Sequence, residues 1–143
     1  MRSDQGKLRL RSGRDRPLAL RAALTRTAIG RRAESAVADF LFVNGFAVLA
    51  RNLRLGALEL DVVARKGCLV VIVEVRTRGP GAWVGAFESV TPAKQRRILR
   101  AVERLWKARL AKAAAIQRVR VDVAAVTFAG GRTSIEYVAG ALG

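Results

Sequence analysis

Three acidic residues, Glu59, Asp61 and Glu74, stand out in a chain of 143 residues that holds 11 Asp+Glu against 27 Lys+Arg. Leu58, Leu60 and Val62 alternate with Glu59, Asp61 and Val63, the period-2 pattern of a β-strand. Leu69 to Val75 is a nearly continuous β-branched run, as expected of a strand buried on both faces. With Lys66-Gly67 read as a two-residue hairpin turn, Glu59 falls opposite Glu74. Asp61 then lies diagonally from Glu74, roughly 7–8 Å away, a gap that one cation bridges. A slip of one residue would put the two pairs on opposite faces and destroy the site.

Such an arrangement suits phosphodiester hydrolysis. That reaction needs a nucleophilic water and a stabilised pentavalent phosphorus, and Mg²⁺ (or Mn²⁺) held by one or two carboxylates supplies both. Asp61 and Glu74 would hold the metal, with the backbone carbonyl of Val75 as third ligand. Arg76 would be the fixed cation offsetting charge on the phosphate oxygens. The competing account makes these acids ion-pair partners of the abundant arginines on a solvated strand face. It explains Glu59 as well as a ligand role does. It is weaker for Glu74, which ends the run Val70–Val73 and emerges from a buried strand, where an unpaired charge is costly.

Composition narrows the chemistry further. The chain has no histidine and one cysteine, Cys68, which excludes Cys/His zinc sites, Ser-His and Cys-His catalysis and a histidine general base. The formal charge of +16 points to a polyanionic partner, and nucleic acid is the commonest. The alternative is a basic tail plus a solvated face. The longest unbroken apolar run is Cys68 to Val73, far short of the roughly 20 residues of a membrane helix. With no compact apolar segment of a signal peptide, the expected location is cytoplasmic and the expected partners exclude membranes. The Arg-rich start would also suit an organellar transit peptide.

The elements that position these residues can be read along the chain. Residues 1–27, with Lys7, Arg9, Arg11, Arg14, Arg16, Arg21 and Arg26 broken by Gly6, Gly13 and Pro17, read as a basic, disordered tail, apart from a turn or two of helix over Leu18 to Leu24. Residues 28–143 read as a single domain. Ile29, Ala33, Ala36, Val37, Phe40 and Leu41 recur at helical spacing up to Val43, and Asn44-Gly45 supplies the stop. A strand over Phe46–Asn52 precedes the two already named. Gly79–Ser89 reads as a loop, and Thr91-Pro92 as the cap and first position of a helix reaching about Lys112. That helix places Ile98, Leu99, Val102, Leu105 and Trp106 on one face and Arg97, Arg100, Arg104 and Lys107 on the other. Strands over Val119–Thr127 and Thr133–Val138 complete the order αβββαββ, an α/β fold with a mixed sheet flanked by helices.

Asp61, twelve residues, then Glu74-Val75-Arg76 resembles the D…(D/E)-x-K signature of restriction-endonuclease-like nucleases. The wider series is more specific: Gly30 through Glu34, Asn44-Gly45-Phe46, Arg51-Asn52, Glu59-Leu60-Asp61, Val73 through Arg78, Ser89-Val90-Thr91 with Lys94-Gln95, and Val121-Asp122-Val123. In this order the motifs are similar to those of the bacterial YraN-like family of predicted endonucleases, related to archaeal Holliday junction resolvases. The likeness covers about residues 28–142. It implies a restriction-endonuclease-like fold whose central hairpin carries the metal site. Asp61 and Glu74 take the ligand positions and Arg76 the slot of the catalytic lysine. Glu34 matches an acid that completes the metal shell in related resolvases, while Glu59 and Gln95 match accessory polar positions. Two positions depart from the pattern: Leu58 replaces a glycine, and Arg76 replaces the lysine. Arginine stays protonated and cannot serve as a general base.

These readings converge on a Mg²⁺- or Mn²⁺-dependent endonuclease acting on DNA ahead of RNA, on branched junctions among other substrates. Arg78, Lys94, Arg97, Arg100, Arg104 and Lys107 would contact phosphates. One rival is a catalytically silent nucleic-acid-binding module of the same fold. Another is a protein whose basic tail docks onto RNA. Monomer and homodimer both remain open.

Overall fold

A computed structural model describes residues 18–79, 88 and 90–142. Residues 1–17 of the tail and nearly all of the expected Gly79–Ser89 loop lie outside the described residues. The elements are α1 (Leu18–Val43), β1 (Ala47–Leu55), β2 (Leu58–Lys66), β3 (Leu69–Arg78), α2 (Pro92–Leu105), β4 (Arg118–Ala129) and β5 (Arg132–Leu142). The order is αβββαββ, as read from the sequence. The five strands form one mixed sheet in the spatial order β1-β2-β3-β4-β5. Only β3 and β4 are parallel, and a parallel join needs a crossover, which α2 supplies.

A helix covers each face of the sheet. Ala33, Val37 and Leu41 of α1 pack on Val71 and Val73, whereas Ile98, Ala101 and Leu105 of α2 pack on Val70 and Ile72. The four β3 residues are buried on alternate sides, which explains the unbroken apolar run. Each such side chain stabilises the fold by roughly 1.5–3 kcal/mol.

Four expectations need correction. Helix α1 begins at Leu18 rather than Ile29, so residues 18–27 are helical and not tail. No glycine or proline falls between Leu18 and Ile29, and Leu, Ala and Arg are strong helix formers. Propensity favours the helix there, and Leu18 and Leu20 are exposed on it. The hairpin turn is Gly67-Cys68, closed by the pair Lys66↔Leu69, not Lys66-Gly67. Gly67 has φ +59, and a tight hairpin loop favours glycine at its first position. Helix α2 ends at Leu105 and continues as a π-helical turn over Trp106–Leu110, in which Ala111 N–H donates to the Trp106 carbonyl. The buried stripe of α2 is Ile98, Ala101 and Leu105, which leaves Leu99 and Trp106 exposed.

The regular pleat breaks beside Asp61. Leu60 and Val63 both pack under α2, while Val62 and Ala64 pack under α1. Strict alternation would put Leu60 with Val62. On the neighbouring strand, Asn52 is flanked by the pairs Arg51↔Val62 and Leu53↔Leu60 and has φ 50. Asparagine tolerates that left-handed conformation better than most residues.

Candidate metal centre

A cleft of about 290 Å³ opens where the ends of β2 and β3 meet α1 and the start of α2. Gly30 and Glu34 of α1, Asp61 of β2, Glu74 to Thr77 of β3, and Lys94 of α2 line it. The corrected turn brings the two central acids closer than expected. The β2–β3 ladder runs from Lys66↔Leu69 to Val62↔Val73 and stops beside Asp61 and Glu74. Asp61 Oδ2 accepts a 2.9 Å hydrogen bond from the Val75 N–H, which pins the carboxylate to β3.

Glu74 is only 4% exposed. Burial, reinforced by the Asp61 carboxylate beside it, pushes its pKa up to about 8, and Lys94 pulls the other way. Lys94 Nζ stands 3.6 Å from Glu74 Oε1, an ion pair too long to be a hydrogen bond. Glu34 is also raised, first by partial burial and also by the charges of Asp61 and Glu59. Asn52 Nδ2 opposes that shift by donating to Glu34 Oε2 at 2.9 Å. The strained backbone of Asn52 thus aims its amide at the acid of α1.

The remaining site residues divide clearly. Glu59 is exposed, lies 4.0 Å from Arg54, and lines a neighbouring cleft with Glu34, Asn52 and Arg31. It does not face Glu74. Gln95 braces the start of α2, donating from Nε2 to the Val90 carbonyl at 2.9 Å. Thr91 caps that helix by accepting from Lys94 N–H. Arg97 and Arg100 are exposed on α2, and Arg97 lies near Lys94 and Glu59. Arg104 donates to the Leu55 carbonyl, Lys107 pairs with Glu103, and Arg78 pairs with Glu136 at 2.8 Å.

Sequence reasoning missed Asn52 as the partner of Glu34 and Lys94 as the partner of Glu74. Each carried a usable signal. Arg51-Asn52 supplies a residue able to adopt the left-handed region within a strand, and Thr91-Pro92 fixes the first turn in which Lys94 stands. It also missed a second buried acid, Asp122, which is fully inaccessible on β4. Arg120 grips it with two bonds of 2.8 and 2.9 Å, Gly140 N–H donates at 2.8 Å, and the Tyr137 hydroxyl makes a third kind of contact. Burial and the Asp122 contact push the Tyr137 hydroxyl well above its ordinary range. The same-face spacing of Arg120 and Asp122 in an apolar strand was the available clue.

Among the described residues, no three acids stand close enough to enclose a cation. Mg²⁺ does not require that, since it binds through one or two carboxylates and keeps several waters. Asp61 and Glu74 offer the hard oxygen donors it prefers, and the buried Glu74 charge lacks full compensation. The donor set therefore fits a divalent cation.

The fold and cleft define a mixed α/β domain with a paired-carboxylate site at one end of its central hairpin. Residues 33–126 match the model of the uncharacterised protein family UPF0102, and the chain belongs to that family, the YraN-like family anticipated from its motifs. A UPF0102 protein of Sorangium cellulosum is 46% identical over 118 residues, 82% of each chain. One of Anaeromyxobacter dehalogenans is 41% identical over 112 residues, 78% of this chain and 81% of the relative. The matched span contains Glu34, Asn52, Asp61, Glu74, Arg76, Lys94 and Asp122. No helix among the described residues is long and apolar enough to cross a membrane.

Proposed function

We propose that this protein is a Mg²⁺- or Mn²⁺-dependent endonuclease that hydrolyses phosphodiester bonds in DNA. The carrying observation is the Asp61–Glu74 pair: two carboxylates from adjacent strands, one of them buried, facing a cleft that also holds Arg76 and Lys94. Asp61 and Glu74 would hold the ion, and the Val75 backbone and Glu34 lie within the same cleft. The bound ion would supply an activated water and neutralise charge developing on the phosphate. Arg76, always protonated, orients the phosphate and stabilises its charge without taking a proton. The exposed Arg97 and Arg100 of α2 continue the positive surface outward, where backbone phosphates on either side of the scissile bond would lie.

Arg76 also favours a second reading. With arginine in the lysine slot, the same site can bind metal and nucleic acid and turn over slowly or not at all. The test is cleavage of linear, flapped and four-way DNA with Mn²⁺ and with Mg²⁺. Asp61→Asn and Glu74→Gln are expected to abolish cutting while leaving metal-free DNA binding intact or tighter, because each removes a negative charge near the phosphate. Arg76→Lys is expected to retain or raise cleavage and Arg76→Ala to lower it. If no substrate is cut, yet Mn²⁺ and DNA still bind, the silent module is the better account.

A further inference from the structure

Resting on the metal-site reading, we propose that Lys94 is a placeholder for the divalent cation. In the metal-free protein it balances the net negative charge of the Asp61–Glu74 pair, and when the ion enters it is released to grip the substrate phosphate.

Three observations carry this. First, two carboxylates, Asp61 and the 4%-exposed Glu74, share one cleft, where negative charge is costly without a counter-charge. Lys94 Nζ stands 3.6 Å from Glu74 Oε1 as its ion-pair partner. Second, that contact is loose. It is an ion pair without hydrogen-bond geometry, made by a flexible side chain that remains 37% exposed. A cation meant only to hold the fold would be expected to sit as Arg120 does on Asp122, with two bonds of 2.8 and 2.9 Å. Third, Lys94 is anchored where release leads directly to substrate. Its backbone N–H is fixed by the Thr91 cap in the first turn of α2, whose aligned peptide dipoles favour an anion. Its side chain lines the cleft together with Arg76.

The exchange follows from charge. A dication between Asp61 and Glu74 replaces the single charge of the ammonium and repels it. Lysine's four-carbon stem lets the ammonium swing by several ångströms without moving the helix. The freed charge then meets the phosphate in the same cleft. The structure thus contains two cations for one phosphate: Arg76, which lies on the strand, and Lys94, which arrives only after the metal. Such ordering would suppress binding of a phosphate in the absence of the ion.

The test compares Lys94→Met, which keeps the stem and loses the charge, with Lys94→Arg, which keeps the charge. Calorimetric titration with MnCl₂ in the absence of DNA is the first readout. Lys94→Met should tighten Mn²⁺ binding roughly tenfold, the scale of one removed charge in a partly screened site. The rise in melting temperature on adding Mn²⁺ should be larger in Lys94→Met than in wild type, because tighter binding stabilises more. Single-turnover cleavage by the same variant should fall at least tenfold, and Lys94→Arg should keep most of it. Opposite movement of metal affinity and cleavage is something that simple loss of packing does not produce.

Unchanged or weaker Mn²⁺ binding in Lys94→Met would overturn the placeholder, even though wild-type binding and its loss in Asp61→Asn would leave the metal site standing. Tighter Mn²⁺ binding with cleavage undiminished would also overturn it, since the released ammonium would then have no part at the phosphate. A wild-type chain that binds no Mn²⁺ would remove the metal site and the placeholder together.

Discussion

Glu74 and Asp122 are both buried carboxylates on neighbouring parallel strands, yet their surroundings differ in kind. Asp122 receives a bidentate arginine, a tyrosine hydroxyl and a backbone N–H, so both its oxygens are satisfied. Glu74 has one lysine at 3.6 Å and a second carboxylate as a neighbour. Asp122 is closed and acts as a fastening between β4 and β5. Glu74 is incompletely paired and has a cleft in front of it. Burial of an acid therefore does not mark a functional site by itself; incomplete satisfaction beside an open volume does.

The largest expected difference between the two is in stability. Asp122→Asn should cost about 3 kcal/mol, because it leaves Arg120 and the Tyr137 hydroxyl without their common partner. In a thermal scan this appears as a fall of roughly 10 °C in melting temperature. Mn²⁺ affinity should be untouched. If Asp122→Asn weakened Mn²⁺ binding while Glu74→Gln did not, the assignments of fastening and site would have to be exchanged.

A smaller effect should appear in the pH dependence. The folded protein holds the Glu74 proton up to about pH 8, whereas the unfolded chain releases it near the ordinary value of 4.5. Between these values the native state binds the extra proton. The contribution of Glu74 to stability is therefore full below pH 4.5 and is lost as pH rises through 8. Glu74→Gln should match wild type near pH 5 and exceed it by roughly 1–3 kcal/mol near pH 9, measured by urea unfolding. Because a metal must displace the same proton, wild-type Mn²⁺ affinity should climb with pH up to about 8 and then level. A flat profile would mean that Glu74 is already ionised and compensated.

The smallest expected effect concerns Asn52. Asn52→Gly keeps the left-handed backbone and removes the amide that holds Glu34. Stability should change by only a few tenths of a kcal/mol, consistent with glycine's ease at positive φ. Mn²⁺ affinity should drop several-fold, on the scale expected when an outer partner of a ligand is lost. Retained affinity would place Glu34 outside the metal shell and confine the site to Asp61 and Glu74.

Much of this arrangement was legible in the sequence, and its gaps have physical causes. The alternation around Glu59 and Asp61 and the apolar run into Glu74 located both strands and the candidate acids. The register was misplaced because glycine can occupy either position of a two-residue turn, and only the backbone angle of Gly67 decides between them. The start of α1 was hidden because the apolar positions of residues 18–28 do not continue the helical spacing that begins at Ile29. Leu99 and Trp106 were assigned to the core of α2 by hydrophobicity, although the sheet accommodates small Ala101 instead. The contacts of Asn52 with Glu34, Lys94 with Glu74 and Tyr137 with Asp122 join different elements, so local patterns hinted at the residues without fixing their partners.

The path of the chain also has a bearing on how this site can vary. Asp61 and Glu74 are joined by the short Gly67-Cys68 hairpin, so their spacing is set within one local unit. Lys94, Arg97 and Arg100 reach the same place only by way of the connection that leaves β3 and begins α2. The carboxylate side of the cleft is therefore governed by the tightest link in the sheet, and the basic side by a long one. A change in the length of that connection carries little entropic penalty, while the packing of Ile98, Ala101 and Leu105 on the sheet holds α2 in place. The carboxylate side of the cleft is thus set by a hairpin, and its basic side by how α2 packs on the sheet.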